Sequence, residues 1–162
     1  MVKLWCLIGQ SILYRKRGQV EETRRSSLLA LEVATAIPRP EQSGTAQANL
    51  AWVAWREGKV EEAQAKGAAA LALWRLELLS SIVYAFQWTA LWPLVGSALE
   101  LNRMSEAVSH VRALLAPSQQ PLPDALTTLL AATIEAWDAG QPDSARAHLQ
   151  QAAALAREKG YL

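Results

Sequence analysis

Asn49-Leu50-Ala51-Trp52-Val53-Ala54-Trp55-Arg56-Glu57-Gly58-Lys59-Val60-Glu61-Glu62-Ala63 is the stretch that decides the fold. It sets Gly58 between an apolar, alanine- and tryptophan-rich run and the acidic pair Glu61-Glu62. Glycine accepts the left-handed backbone that ends a helix, and carboxylates suit the positive end of the next one. The stretch therefore reads as a corner between two helices. Three further segments read alike: Arg17-Gly18-Gln19-Val20-Glu21-Glu22-Thr23, Leu101-Asn102-Arg103-Met104-Ser105-Glu106-Ala107 and Ala139-Gly140-Gln141-Pro142-Asp143-Ser144-Ala145. Asn102 stands for glycine in the third, and Pro142 suits a first helical turn.

The corners fall at 18, 58, 102 and 140, so they are 40, 44 and 38 residues apart. Counting from each corner exposes a register. Five residues after it stand Thr23, Ala63, Ala107 and Ala145; seven before it stand Ser11, Ala51, Val95 and Thr133. Tyr14, Ala54, Ala98 and Ala136 lie four before, and Ala30, Ala70, Leu114 and Ala152 twelve after. Small side chains at fixed offsets let paired helices approach closely. The pattern predicts eight helices, at about 2–16, 20–36, 43–57, 60–77, 81–101, 104–115, 123–139 and 142–159. Pro38-Arg39-Pro40 and the run from Pro117 through Pro121 to Pro123 read as loops between pairs.

The stretch around Gly58 resembles the core of a tetratricopeptide repeat, in which a leucine and a small residue precede the corner glycine and Glu-Ala follows it. Ala136-Trp137-Asp138-Ala139-Gly140 through Ala145 resembles it too, and the first and third units do so loosely. The spacings exceed that family's usual period of about 34, and Pro93 lies within a first helix. The resemblance implies an all-α, right-handed solenoid of about four antiparallel helix pairs in one domain spanning 1–162. Its units are 2–36, 43–77, 81–115 and 123–159. The chain is also similar to the helical-repeat C-terminal arms of large bacterial signalling ATPases and transcriptional regulators. Ser144 to Leu149 and Ala156-Arg157-Glu158-Lys159-Gly160-Tyr161-Leu162 carry that likeness. It implies a fragment of a longer protein, as does a first helix that starts without a capping residue.

Alanine (30) and leucine (25) make up a third of the 162 residues, a strong helical bias. With 16 basic and 15 acidic side chains the net charge is +1, which argues against general nucleic-acid or acidic-membrane binding. The apolar run Leu4 to Tyr14 is eleven residues, short of the ~20 a membrane span needs, and no cleavage site follows it. A cytoplasmic location is the expectation. The lone Cys6 excludes an internal disulfide, and its apolar run suggests a packed thiol. No phosphate loop, G-x-S-x-G elbow or H-E-x-x-H motif occurs, so neither enzyme chemistry nor a cofactor is expected.

In the resembled family the inner groove is lined by first helices. Residues nine and six before the corners are Gly9 and Ile12, Asn49 and Trp52, Pro93 and Gly96, and Ala131 and Ile134. Only Asn49 fits the family's carboxylate clamp. The groove should instead suit an amphipathic helix or apolar peptide, with Arg56 and Asp138 at its edge. Tyr84, Trp88 and Trp92 recur every four residues, as a core stripe or as an aromatic lining. Pro93 should free the carbonyl of Thr89 as a contact point. Trp55 and Trp137, each three before a corner, read as core. The expected groove set is Asn49, Trp52, Arg56, Trp88, Thr89, Trp92, Ile134 and Asp138. An alternative is effector sensing in an aromatic pocket near Trp52, Trp88 and Trp92. His110 and His148 occupy a variable polar position and read as surface residues rather than metal ligands. Arg15-Lys16-Arg17 with Arg24-Arg25 reads as a solvated corner held by Glu21 and Glu22. The first helix, apolar nearly all round, should be buried on an upstream repeat of the same chain or on a second copy, giving a homodimer through terminal repeats.

Overall fold

The computed structural model describes residues 2–36, 39–75 and 85–162. It contains eight helices among the described residues and no strand: α1 (Val2–Lys16), α2 (Val20–Ala36), α3 (Pro40–Arg56), α4 (Val60–Trp74), α5 (Trp88–Glu100), α6 (Met104–Leu114), α7 (Asp124–Asp138) and α8 (Pro142–Glu158). The protein is all-α. Three boundaries differ from the sequence reading: α4, expected to reach 77, ends at Trp74 with Arg75 as its cap, and residues 76–77 lie outside the described residues. Pro40 opens α3 instead of lying in a loop, because a first helical residue needs no amide hydrogen. Residues 85–87 form a turn, so the helix expected from 81 begins at Trp88; Tyr84 and residues 81–83 lie outside the described residues.

Each corner closes in one way. The backbone angle φ is positive at Gly18, Gly58, Asn102 and Gly140, at 71°, 73°, 59° and 70°. The Gly58 amide donates to the carbonyl of Trp55 at 3.0 Å, and the Lys59 amide to that of Ala54 at 2.9 Å. This pair of bonds satisfies carbonyls that the helix end would leave bare. The pattern recurs at Gly160 (φ 69°), where the Tyr161 amide reaches Ala156 at 2.8 Å. The sequence reading does not register that fifth corner.

Burial follows the register. Ser11, Ala51, Val95 and Thr133, and likewise Thr23, Ala63, Ala107 and Ala145, are all wholly shielded from solvent. Small residues at these points bring helix axes together. Gly44 and Gly67 carry the same logic further: Trp74 covers the α-carbon of Gly44, and Leu94 that of Gly67. α3 is the central strut, buried almost continuously from Thr45 to Trp55.

Each helix pairs with the next across its corner, and α1 meets α3 as α3 meets α5. The fourth hairpin is joined through a different pair of helices. α7 packs on α6 and α8, with no comparable approach to α5. The last turn of α8 returns to the first three hairpins, where the Arg157 guanidinium lies 4.7 Å from the centre of a Trp55 ring. The proline-rich connection between α6 and α7 explains the departure, being tied to the start of α5. The Gln120 amide donates to the Ala85 carbonyl at 3.0 Å, the Gln87 amide to Gln119 Oε1 at 3.1 Å, and Trp88 Nε1 to Gln120 Oε1 at 3.0 Å.

The apolar interior has two parts. Leu4 and Ile8 of α1 cluster with Ala30, Ala34 and Ala46, while the larger core runs from α3 through α8. α1 is not buried all round: Val2, Trp5 and Leu13 are exposed, and Cys6 is also exposed rather than packed, because no other element among the described residues covers that side.

A methyl group added at Gly44 would stand 2.3 Å from Trp74 Nε1, which donates to the Glu41 carbonyl at 3.1 Å. The rigid indole must move. We expect Gly44→Ala to lower stability in urea unfolding by about 1–2 kcal/mol, overpacking outweighing the helix propensity gained.

Candidate functional site

Arg15 lies three residues before the first corner, the place held by Trp55, Leu99 and Trp137 in the other units. Its side chain is wholly buried. One terminal nitrogen, Nη1, donates to Asn49 Oδ1 at 3.3 Å and to the Thr89 carbonyl at 2.5 Å; the other, Nη2, donates to the Tyr161 carbonyl at 2.5 Å. Asn49 Nδ2 in turn donates to Ser11 Oγ at 2.8 Å, and Ser11 to the Ile8 carbonyl at 2.8 Å. α1, α3, α5 and the segment after α8 thus meet at one guanidinium.

The Thr89 carbonyl is available because residue 93, one turn on, is a proline without an amide hydrogen. The sequence predicts that freed carbonyl as a contact for an external ligand; the structure gives it to Arg15. No carboxylate among the described residues forms an ion pair with Arg15. Aromatic faces stand in for one, with the guanidinium carbon 5.7 Å from the Trp52 ring centre and 5.1 Å from that of Trp88. Desolvation pushes the Arg15 pKa down to about 9, so it remains a cation at neutral pH. Arg15 Nε, Trp52 Nε1 and Trp92 Nε1 are buried donors with no acceptor among the described residues.

Beside it, the Lys16 ammonium lies 3.0 Å from the ring centre of Tyr161 and 4.8 Å from that of Trp88. Burial, and then the neighbouring Arg15 charge, lower its pKa to about 8. Tyr161 stacks edge-on against Trp88 at 5.0 Å and tilts toward Trp92 at 6.4 Å. Desolvation raises its phenol above the usual range.

Asn49, Trp52, Trp88, Thr89 and Trp92 are therefore brought together, though as the floor of an occupied site. Trp52, Trp88 and Trp92 are buried. Arg56 joins at the rim, 5.2 Å from the Trp52 ring centre. Ile134 and Asp138 do not join; Asp138 pairs with Arg112 of α6. Trp55 is buried, and Trp137 packs half-buried against the core. In the basic corner Arg24 pairs with Glu21 and Glu57, and Arg17 and Arg25 are exposed, but Arg15 leaves that solvated group altogether. His110 and His148 are both half-buried rather than on the surface, and desolvation lowers the His110 pKa against the pull of Glu106.

Arg15, Lys16, Tyr161 and Leu162 are the residues that sequence reasoning missed. Two signals pointed to them: the shared offset of Arg15 with Trp55 and Trp137, and a fifth Gly-x-apolar corner at Gly160. Two open clefts lie beside this cluster rather than over it. One of about 400 Å3 is lined by Gly96, Glu100, Ala153 and Arg157; the other, about 470 Å3, by Trp55, Arg56, Gly58, Glu100 and Arg157. Chemically, the site is a set of donors and aromatic faces suited to holding peptide carbonyls and rings.

Compared with protein-family models, curated proteins and solved structures, the chain matches none. No helix among the described residues is long and apolar enough to cross a membrane.

Replacing Arg15 with methionine keeps much of its volume but leaves Thr89, Asn49 and Tyr161 oxygens without their donor. Each bare buried acceptor costs about 1–3 kcal/mol. Arg15→Met should therefore lose at least about 2 kcal/mol in denaturant unfolding, despite removing a buried charge. Lys16 gives a pH signature. Its folded pKa of about 8 lies below the ordinary 10.5, so the unfolded chain holds more protons between those values and stability rises with pH there. The thermal midpoint should climb from pH 8 to 10, and less steeply in Lys16→Met.

Proposed function

We propose that this chain is a non-catalytic protein-interaction module. In this reading it is a TPR-like right-handed solenoid of about four helix pairs, the regulatory arm of a larger bacterial signalling protein acting in the cytoplasm. Its inner face receives a helix or peptide from a protein partner. One observation carries the reading: the face made by α1, α3 and α5 already holds peptide, the end of α8 and residues 160–162, through Arg15, Lys16 and three tryptophans. A surface that binds main-chain carbonyl and aromatic groups in this way is built for polypeptide, and the adjoining clefts give a longer segment room.

The outer side of the first hairpin supports a second contact. Val2, Trp5 and Leu13 of α1 and Leu28 of α2 are exposed, with Trp5 59% accessible. In this reading the patch docks on an upstream part of the same protein or on a second copy. Neither contact involves nucleic acid or a membrane.

The test is a titration followed by tryptophan emission, because Trp52, Trp88 and Trp92 floor the site. A designed amphipathic helix of leucine and lysine should give a saturable change, whereas a panel of small metabolites should not. Saturation by a metabolite alone would overturn the peptide reading in favour of effector sensing.

A further inference from the structure

The segment lying in the site shows, position by position, what the site accepts. Gly160 lies against the backbone of α1: a β-carbon there would be 2.4 Å from the Lys16 carbonyl oxygen, and φ is +69°. No other residue fits without displacing α1. Tyr161 sits among Lys16, Trp88 and Trp92, a cage that a flat ring fills and an aliphatic chain would not. Leu162 is buried in a slot that exists because residue 96 is glycine: its Cδ1 is 3.3 Å from where a Gly96 β-carbon would be, beside the Trp55 indole. Between these side-chain positions Arg15 holds the main-chain carbonyl of residue 161, a contact indifferent to sequence. Trp55, Gly96 and Arg157 continue into the open clefts, so a longer segment could extend from the same position.

We propose that the inner face recognises a helix end followed by a glycine-aromatic-aliphatic triplet, and that residues 160–162 are its resident occupant, which a partner segment of the same chemistry displaces. This rests on the peptide-binding reading above and narrows it to one sequence class. Tyr161 and Leu162 then act as an internal competitor that sets how strongly a partner must bind.

The probe is a fluorescein-labelled heptapeptide, Ala-Arg-Glu-Lys-Gly-Tyr-Leu, followed by anisotropy. It should bind the Tyr161→Ala/Leu162→Ala chain at least tenfold more tightly than the wild type, because the ring cage and the leucine slot are then open and only the main-chain contact of residue 161 with Arg15 has to be displaced. Replacing the peptide's glycine or tyrosine with alanine should weaken binding at least tenfold. Equal affinity for both chains, or indifference to those replacements, overturns the proposal. If the double variant does not fold, the wild-type chain still decides: saturating peptide should speed amide exchange at Gly160, Tyr161 and Leu162, and unchanged rates overturn it. The leucine-lysine helix is run in parallel. Should it bind while the triplet peptide does not, the triplet falls and the broader reading stands; should neither bind, both fall. Self-association of the wild type that the peptide abolishes would assign the site to a second copy instead of a partner.

Discussion

A buried guanidinium with no carboxylate beside it among the described residues is the constraint around which the rest of the structure is arranged. Taking such a charge out of water costs several kcal/mol even after relaxation. Arg15 is tolerated because carbonyls and rings converge on it from three other parts of the chain. Each has its own local cause. Thr89 has a free carbonyl because of Pro93, Asn49 is oriented by Ser11, and Tyr161 arrives through the turn at Gly160. The neighbouring ammonium of Lys16 adds a second cation, met again by aromatic faces. Positive charge here is balanced by dipoles and π-faces, which orient polypeptide without demanding an acidic ligand.

Around this centre the helices come close because small residues stand at regular offsets from the corners. Wholly buried alanines, threonines, one serine (Ser11) and one valine (Val95) at five after and seven before the corners set the spacing, and the larger side chains fill what remains. Where extra closeness is needed, glycine supplies it: Trp74 lies on Gly44, Leu94 on Gly67, and Trp55 on Gly96. The last of these contacts also shapes the slot for Leu162, so helix packing and recognition share one residue.

Much of the helical framework was legible in the sequence, since corner chemistry is local. Gly18, Gly58, Asn102 and Gly140 each fix a helix end through their own backbone angles, and the eight helices follow. Pro93 also spoke plainly, because its effect on Thr89 depends on nothing distant. What could not be read was destination. The charges of Arg15, Arg17 and Arg24 look alike along the chain, yet only Arg15 points inward, and that depends on an asparagine 34 residues away and a carbonyl 74 away. The placement of α7 and α8 was equally hidden, being set by Gln119 and Gln120 meeting residues 85–88. Asp138, expected at a groove edge, went to Arg112 for the same reason.

The division of the interior has a mechanical corollary. Leu4, Ile8, Ala30, Ala34 and Ala46 form their own small oily cluster, joined to the main core by Ile12, and a buried seam of hydrogen bonds through Ser11, Asn49 and Arg15 links α1 to α3. A seam of hydrogen bonds yields to water more readily than a continuous greasy contact. Arg15 thus ties the first hairpin and the segment after α8 to a single side chain, so its loss weakens the hold on both.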